Sequence, residues 1–403
     1  MKQLLVSVML LVSLFSLQVL ANADGSGDTL KNKKDGHYYF TVVKDIEANE
    51  VQNQNRTATC WSFSALSFME SEVMRLGKGK HKLSEMYIVR MAYLDKAEKY
   101  VRMQGTINFA QGGAFHDIPH VIKNYGIVPQ EVYQGLNYGT EDHNHSEMAA
   151  VLKAMCDAII QNKQGTLTTA WKAAIEGVLD AYLGKVPSEF KYQGKKYTPT
   201  SFAESLGLNM DDYVTLTSYT HHPFYSNFML EVADNWGGGV VYNLPLNEFM
   251  QSINNSLTNG YSVAWASDVS EKGFSFKNGL AIVPTDESAL TQTGQDNKHF
   301  NDAGADRRGN QFESPGPEKT ITQEMRQEAF DNYATTDDHG MHITGMVKDQ
   351  NGTVYYIVKN SWGTKNDCDG YMYASTAYVQ FKTMDVMVHK DALPKNIKDK
   401  LKL

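Results

Sequence analysis

Gln54-Asn55-Arg56-Thr57-Ala58-Thr59-Cys60-Trp61-Ser62-Phe63 is the stretch on which the reading of this 403-residue chain turns. Up to Thr59 it continues a polar loop that begins at Gln52. From Cys60 the apolar residues Trp61, Phe63, Leu66, Met69, Val73 and Leu76 recur at helical spacing, and Gly77, Gly79 and the basic pair Lys78/Lys80 mark an end. The spacing predicts a helix of roughly four to five turns with Cys60 at its N-terminus. Unsatisfied N–H groups there carry partial positive charge, which lowers a thiol's pKa and can hold an oxyanion. A cysteine at a helix start is also an ordinary small hydrophobe. A nucleophilic role needs a base, and a group that orients the base, from elsewhere in the chain.

Two later stretches offer them. Asp338-His339-Gly340-Met341-His342 places two imidazoles at what reads as the start of a strand. Tyr355-Tyr356-Ile357-Val358-Lys359 runs into Asn360-Ser361-Trp362-Gly363, a carboxamide and an indole at a strand end. Period-2 alternation sends His339 and His342 to opposite faces, so at most one of them reaches Cys60 from an extended segment. Taken singly, each residue also fits a plain strand, turn or core role. Metal chemistry is not indicated: C-x-x-C and H-E-x-x-H are absent, and His116 and His120 have Pro119 between them and no third ligand nearby. Neither a G-x-S-x-G elbow nor a P-loop occurs.

Around these stretches the chain changes texture. A strand is predicted over His37–Val43, an amphipathic helix from Ser84-Glu85 with Tyr87, Ile88, Met91 and Leu94, a loop at Gln111-Gly112-Gly113, and a helix over about Phe115–Tyr125. Met148–Ile160 and Trp171–Leu183 read as a helical hairpin, followed by a polar turn at Gln193–Lys196. From about Tyr213, β-type runs take over at Gly239–Tyr242, Tyr261–Trp265 and Gly352–Val358. Asp302–Lys319 reads as a surface loop. Helices first and strands later indicate an α+β fold without βαβ alternation.

Gln54 followed by Cys60-Trp61-Ser62-Phe63, then Gly112-Gly113, His339 and Asn360-Ser361-Trp362-Gly363, resembles in order and type the active-site pattern of papain-like cysteine peptidases. The nearer resemblance is to the bleomycin hydrolase/aminopeptidase C branch. Tyr197–Phe202, Tyr219–Pro223, Val263–Val269 and Met325–Phe330 are similar to its characteristic sequences, and the likeness spans about residues 40–395. It implies a papain-like peptidase domain over 24–403, with a helical half and a β-rich half flanking a cleft. An inserted, mainly helical segment at about 145–235 would serve assembly into a homo-hexamer.

The same resemblance implies Cys60 as nucleophile, His339 as general base and then acid, and Asn360 as the group that fixes the imidazole. Gln54 with the Cys60 backbone N–H would form the oxyanion hole. Gly112 and Gly113 would let substrate backbone approach, and Trp362 would shield the His339–Asn360 contact. His339 is preferred to His342 because a small residue and an apolar strand follow it, as in the family. The substrates implied are peptides, and no cofactor is implied. Two departures qualify the match: no glycine precedes Cys60, so Ala58 or Thr59 must supply the turn, and Leu393–Leu403 stops about where the family's C-terminal arm begins. An aminopeptidase is therefore expected, with an endopeptidase or dipeptide-releasing peptidase as the alternative and an inert peptide-binding scaffold as the third reading.

Composition sets outer bounds. With 38 Lys+Arg against 46 Asp+Glu and a net charge of −8, the chain offers no basic footprint for nucleic acid beyond the short tail Lys395–Lys402. Met1-Lys2-Gln3, an apolar run from Leu4 to Leu20 and Ala21-Asn22-Ala23 have the layout of a signal peptide cleaved after Ala23, and no second long apolar run follows. Export to the periplasm or medium is expected, without stable membrane insertion. The sequon Asn55-Arg56-Thr57 beside Cys60 favours a bacterial source, since a glycan there would obstruct the thiol. Three cysteines leave at least one unpaired; Cys156 and Cys368 are the candidates for a bridge.

Overall fold

The apolar repeat after Cys60 forms helix α1, Cys60–Arg75, in the computed structural model, which describes residues 30–163, 165–286, 288, 290–293, 306–308 and 310–403. From Cys60 to Val73 every residue of α1 is buried. A helix with no wet face must lie between two layers. Its polar side chains are accordingly bonded: Ser62 Oγ donates to the Glu85 carbonyl, Ser64 Oγ to the Cys60 carbonyl and Ser71 Oγ to the Glu47 carbonyl.

One layer is helical: α2 (Glu85–Arg102, capped by the Ser84 hydroxyl), α3 (Asp117–Tyr125), α4 (Ser146–Ile160) and α5 (Ala170–Leu183). Met69, Tyr87, Ile118, Leu152 and Leu179 join one apolar cluster across these helices.

The other layer is a sheet with eleven strands among the described residues. In chain order they are β1 (Thr41–Asp45), β2 (Tyr213–Thr217), β3 (Asn227–Met229), β4 (Val240–Asn243), β5 (Val263–Ser267), β6 (Phe274–Ser275), β7 (Leu280–Ala281), β8 (His339–Lys348), β9 (Val354–Lys359), β10 (Tyr371–Ser375) and β11 (Thr383–His389). They lie in the order β3-β4-β2-β11-β5-β8-β9-β10-β7-β6, with β1 also on β8. Pairing is antiparallel except at β2/β4 and β7/β10. Strand β8 packs most extensively on α1, with β5 beside it. Its register sets His342 opposite Lys359 of β9 and His339 opposite Ser267 of β5. The chain leaving β9 at Asn360 therefore passes the point where β8 begins.

Several boundaries differ from the sequence reading, each for a local reason. The helix expected from Phe115 begins at Asp117, because Asp117 Oδ2 accepts the Ala114 N–H and holds the preceding residues as a turn. The strand expected from His37 begins at Thr41; Tyr38 and Phe40 instead pack on Tyr355 and Tyr373. The turn at 193–196 is the tip of a hairpin, Phe190–Tyr192 with Lys195–Tyr197, with positive φ at both Gln193 and Gly194, as tight hairpins require. The segment 145–235 is helical only in its first part; from Tyr213 it supplies β2 and β3 to the sheet.

Of the expected Asp302–Lys319 loop, residues 302–305 and 309 lie outside the described residues, 306–308 pair with 291–293, and Asn310–Glu313 is a helical turn. The leader at 1–23 also lies outside the described residues. Lys31–Leu403 form one unit. Among the described residues no helix is long and apolar enough to cross a membrane.

Candidate active site

Two loops meet at the start of α1. Gln54 N–H donates to the Ser361 carbonyl at 2.9 Å and Gly363 N–H to the Gln52 carbonyl at 3.1 Å, so the loop before Cys60 and the loop after β9 are stitched backbone to backbone. The left-handed residue of the first loop is Asn55, at φ 51°, while Thr59 sits at φ −105°. The turn thus needs no glycine-like backbone at Ala58 or Thr59, and the expectation that one of them takes it is corrected. No side chain caps α1, since the Thr59 hydroxyl is bonded to Thr57 Oγ1 at 2.6 Å. In the first turn the Ser62 and Phe63 N–H groups go to the Thr59 carbonyl instead of a cap side chain.

His339 opens β8, and its Nε2 lies 2.8 Å from Asn360 Oδ1. The same Oδ1 accepts the Ser361 N–H at 2.7 Å, which fixes the orientation of the amide. Oδ1 being an acceptor, His339 Nε2 must be the donor, and Nδ1 is left as the basic nitrogen. Trp362 stacks on the imidazole with ring centroids 4.7 Å apart and planes at 29°. Cys60 and His339 line one cavity, together with Trp61, Gly113, Asp337 and Asp385. Gly340, next to His339, lines the same cavity. Gly340 lets β8 approach α1 this closely: a Cβ there would lie 2.6 Å from Ser64 Oγ.

His342 is fully buried on the other face. Lys359 Nζ donates to Ser67 Oγ at 2.8 Å, so the Ser67 hydroxyl donates onward to His342 Nδ1 at 2.9 Å. Burial, then Lys359, holds this imidazole well below its ordinary pKa. It is a structural neutral histidine.

Other expected residues are placed less simply. Gln54 does not line the cavity; its Oε1 accepts from Ser361 Oγ and its Nε2 donates to the Thr57 carbonyl, both at 2.7 Å, because a buried carboxamide must be satisfied. Gly113 lines the cavity and packs on the Trp61 ring, but Gly112 does not: the space its missing side chain leaves holds the Asp234 carboxylate, 1.9 Å from where a Cβ would stand. Cys156 is buried on α4 and Cys368 Sγ lies 2.8 Å from the Asn32 carbonyl oxygen; all three cysteines are free thiols, so the bridge considered between Cys156 and Cys368 is not formed. His116 sits by Asp117 and His120 by Asp95. A trio that the sequence spacing did not reveal, His221, His222 and Glu231, brings its ligand-type atoms within 4.8 Å, with each Nε2 bonded to the carboxylate. Those hydrogen bonds account for it without a metal.

Sequence reading also missed the acids of the cavity, Asp234, Asp337, Asp338 and Asp385. The adjacent Asp337-Asp338 pair before His339, and a lone Asp385 inside an apolar strand, were the cues available.

Burial pushes the Cys60 thiol up to about 12, against the Gly340 and Trp61 N–H groups. It also pulls the His339 imidazole down to about 4, against the Asn360 bond. Both shifts favour a thiol beside a neutral imidazole. Alkylation of Cys60 by iodoacetamide, followed by peptide mass mapping, is expected to accelerate about tenfold per pH unit through neutrality. A plateau already reached by pH 5 would show a thiolate–imidazolium pair instead.

A match to the family model described as the Peptidase C1-like family covers residues 87–287 and 319–403, most of the chain. This chain belongs to the Peptidase C1-like family. His339 and Asn360 fall inside the match, while Cys60 precedes it. Relatives of this family member include aminopeptidase W of Lactobacillus delbrueckii subsp. lactis, 23% identical over 90% of this chain and 86% of that protein. Aminopeptidase C of Streptococcus thermophilus is also 23% identical, over 91% of this chain and 85% of its own length. The solved structure of PepW from Lactobacillus rhamnosis superposes with a TM-score of 0.68 at 21% identity, covering 90% of this chain and 84% of that one. The fold of this Peptidase C1-like protein is thus the papain-like α+β fold.

Proposed function

We propose that this protein is a cysteine aminopeptidase in which Cys60 attacks, His339 transfers the proton and Asn360 holds the imidazole. The observation that carries this reading is the His339 Nε2–H to Asn360 Oδ1 bond, fixed by the Ser361 N–H, in a ring that shares its cavity with Cys60. As Cys60 Sγ attacks the peptide carbonyl carbon, its proton passes to His339 Nδ1. The oxyanion is received by the Cys60 backbone N–H and the second hydrogen of Gln54 Nε2. The imidazolium then protonates the leaving amine as the C–N bond breaks. Water, deprotonated by the same nitrogen, releases the acyl group from sulfur. Gly113 lies where substrate backbone runs, and Trp362 keeps water from the His339–Asn360 contact.

The names of the relatives, aminopeptidases W and C, support action at the N-terminus. An endopeptidase or dipeptide-releasing enzyme is the alternative reading, and the peptide pair below separates it from an aminopeptidase. The order of Met1–Ala23 supports export, to the periplasm or medium of a bacterium. A homo-hexamer is proposed with it on the resemblance alone, and light scattering after gel filtration reads it directly.

The function is tested with paired fluorogenic peptides, one with a free and one with an acetylated N-terminus, in reductant. Cleavage of the free-amine peptide alone is the expected result. Cleavage of both would make the enzyme an endopeptidase, and cleavage of neither would leave an inert scaffold.

A further inference from the structure

Four carboxylates face the cavity beside Cys60, those of Asp234, Asp337, Asp338 and Asp385, and no Lys or Arg lines it. Two of the four have partners. Asp338 accepts the Val269 and Ser270 N–H groups and the Thr336 hydroxyl. Asp234 accepts from Asn108 and has the buried Lys96 nearby.

The other two do not. Among the described residues Asp337 makes no hydrogen bond or ion pair, and the charges that act on it are Asp234, Asp385 and Asp338. Asp385 Oδ1 is buried with no hydrogen-bond partner. The cation that acts on Asp385, Arg326, is spent on the backbone carbonyls of Ser218, Gln380, Phe381 and Met384. The rest of the wall sets His116, Asn235 and His339 beside the apolar Leu230, Val241 and Ala266. Unpaired carboxylates in such a wall cost folding energy unless a cation arrives. Burial and the neighbouring acids raise Asp337 well above the carboxylate range, and burial lifts Asp385 to about 7.

We propose that this cavity receives a primary ammonium group on the acyl side of the scissile bond, with Asp337 and Asp385 as its carboxylate ligands. The proposal rests on the reading of Cys60 as the nucleophile. Asn360 and Trp362, which flank the imidazole where a leaving amine is protonated, do not line the cavity, so it takes the acyl half. Beside Cys60 the cavity offers about 30 Å3, room for a small cationic group. The Asp234 and Asp337 charges also raise the Cys60 thiol, so an ammonium that neutralises them favours the thiolate at the moment substrate is bound.

The ammonium has two sources, the free N-terminus of the peptide or a lysine side chain, and the test separates them. Four coumarylamides share one leaving group: alanyl, acetyl-alanyl, acetyl-lysyl-alanyl and acetyl-norleucyl-alanyl. The wild-type protein should prefer a charged member over its neutral counterpart, the first pair reporting the N-terminus and the second the lysine. Asp337→Asn and Asp385→Asn should each cut that preference about tenfold or more, mainly through KM, and Asp385→Glu should restore part of it. A preference unchanged in both Asn variants, or absent from the wild type, overturns the proposal while leaving the peptidase reading intact. Turnover of none of the four by the wild type sinks the peptidase reading and the proposal with it. Should the variants fail to fold, the unmutated protein still decides: alaninamide or acetyl-lysyl-alaninamide should protect Cys60 from iodoacetamide better than acetyl-norleucyl-alaninamide and N-acetyl-alaninamide, and equal protection by all four overturns the proposal.

Discussion

Cys60→Ala is expected to leave no measurable peptide turnover, a loss in kcat/KM of about 10,000-fold or more, while the protein remains folded. The two halves of that expectation come from different features of the site. Activity is lost because no other thiol can substitute: Cys156 is fully buried in the helical core and Cys368 sits by Asn32. The fold survives because the substitution removes a single sulfur at the cavity wall. Cys60 contributes its backbone to α1, and its side chain is not among the groups that stitch the two loops together. A deleted heavy atom at such a place costs about 1 kcal/mol. Near- and far-ultraviolet circular dichroism should therefore overlay the wild type, and a thiol-directed peptide electrophile should no longer add to the protein by intact mass. Turnover within tenfold of the wild type would remove Cys60 from the mechanism.

How much of this was legible in the sequence depends on the range of the interaction. The start of α1 at Cys60 was legible because a polar loop switches there to a helical apolar repeat, a local property. The rejection of His342 was legible because three positions along a strand reverse the face, and its burial against Ser67 and Phe68 follows from that geometry. The pairing of His339 with Asn360 was suggested by motif order alone. What makes it physical is the antiparallel register of β8 on β9, which no local pattern states.

Side-chain direction was not legible. That one Gln54 amide hydrogen is held by the Thr57 carbonyl, leaving the other for the proposed oxyanion, could not be read from the motif. Gly112 was expected to admit substrate, yet the Asp234 carboxylate fills its space from more than a hundred residues away. The cavity acids share the same reason: Asp234, Asp337 and Asp385 come from three separate segments, and composition records their charge without their convergence. A hydrophobic period reports which face is buried. It does not report what that face meets.

Substitution of the two histidines separates catalysis from packing, and the outcomes should differ in kind. His339→Ala should lower kcat/KM by about 1,000-fold or more, since it removes the one group placed to take the thiol proton and return it to the leaving amine. Its Asn360 partner keeps the Ser361 N–H, so the loop after β9 retains its shape and the melting temperature should change little. His342→Ala should do the reverse. Its ring is fully buried, edge-on to Phe68, and accepts the Ser67 hydroxyl that in turn holds Lys359. Removing it opens a void and strands the Ser67–Lys359 pair in a buried place, at a cost of about 1–3 kcal/mol. Turnover per folded molecule, measured well below the melting transition, should stay within tenfold of the wild type. Equal losses of kcat in both variants, with equal stability, would mean that strand alternation does not distinguish the two imidazoles and that the assignment of His339 fails.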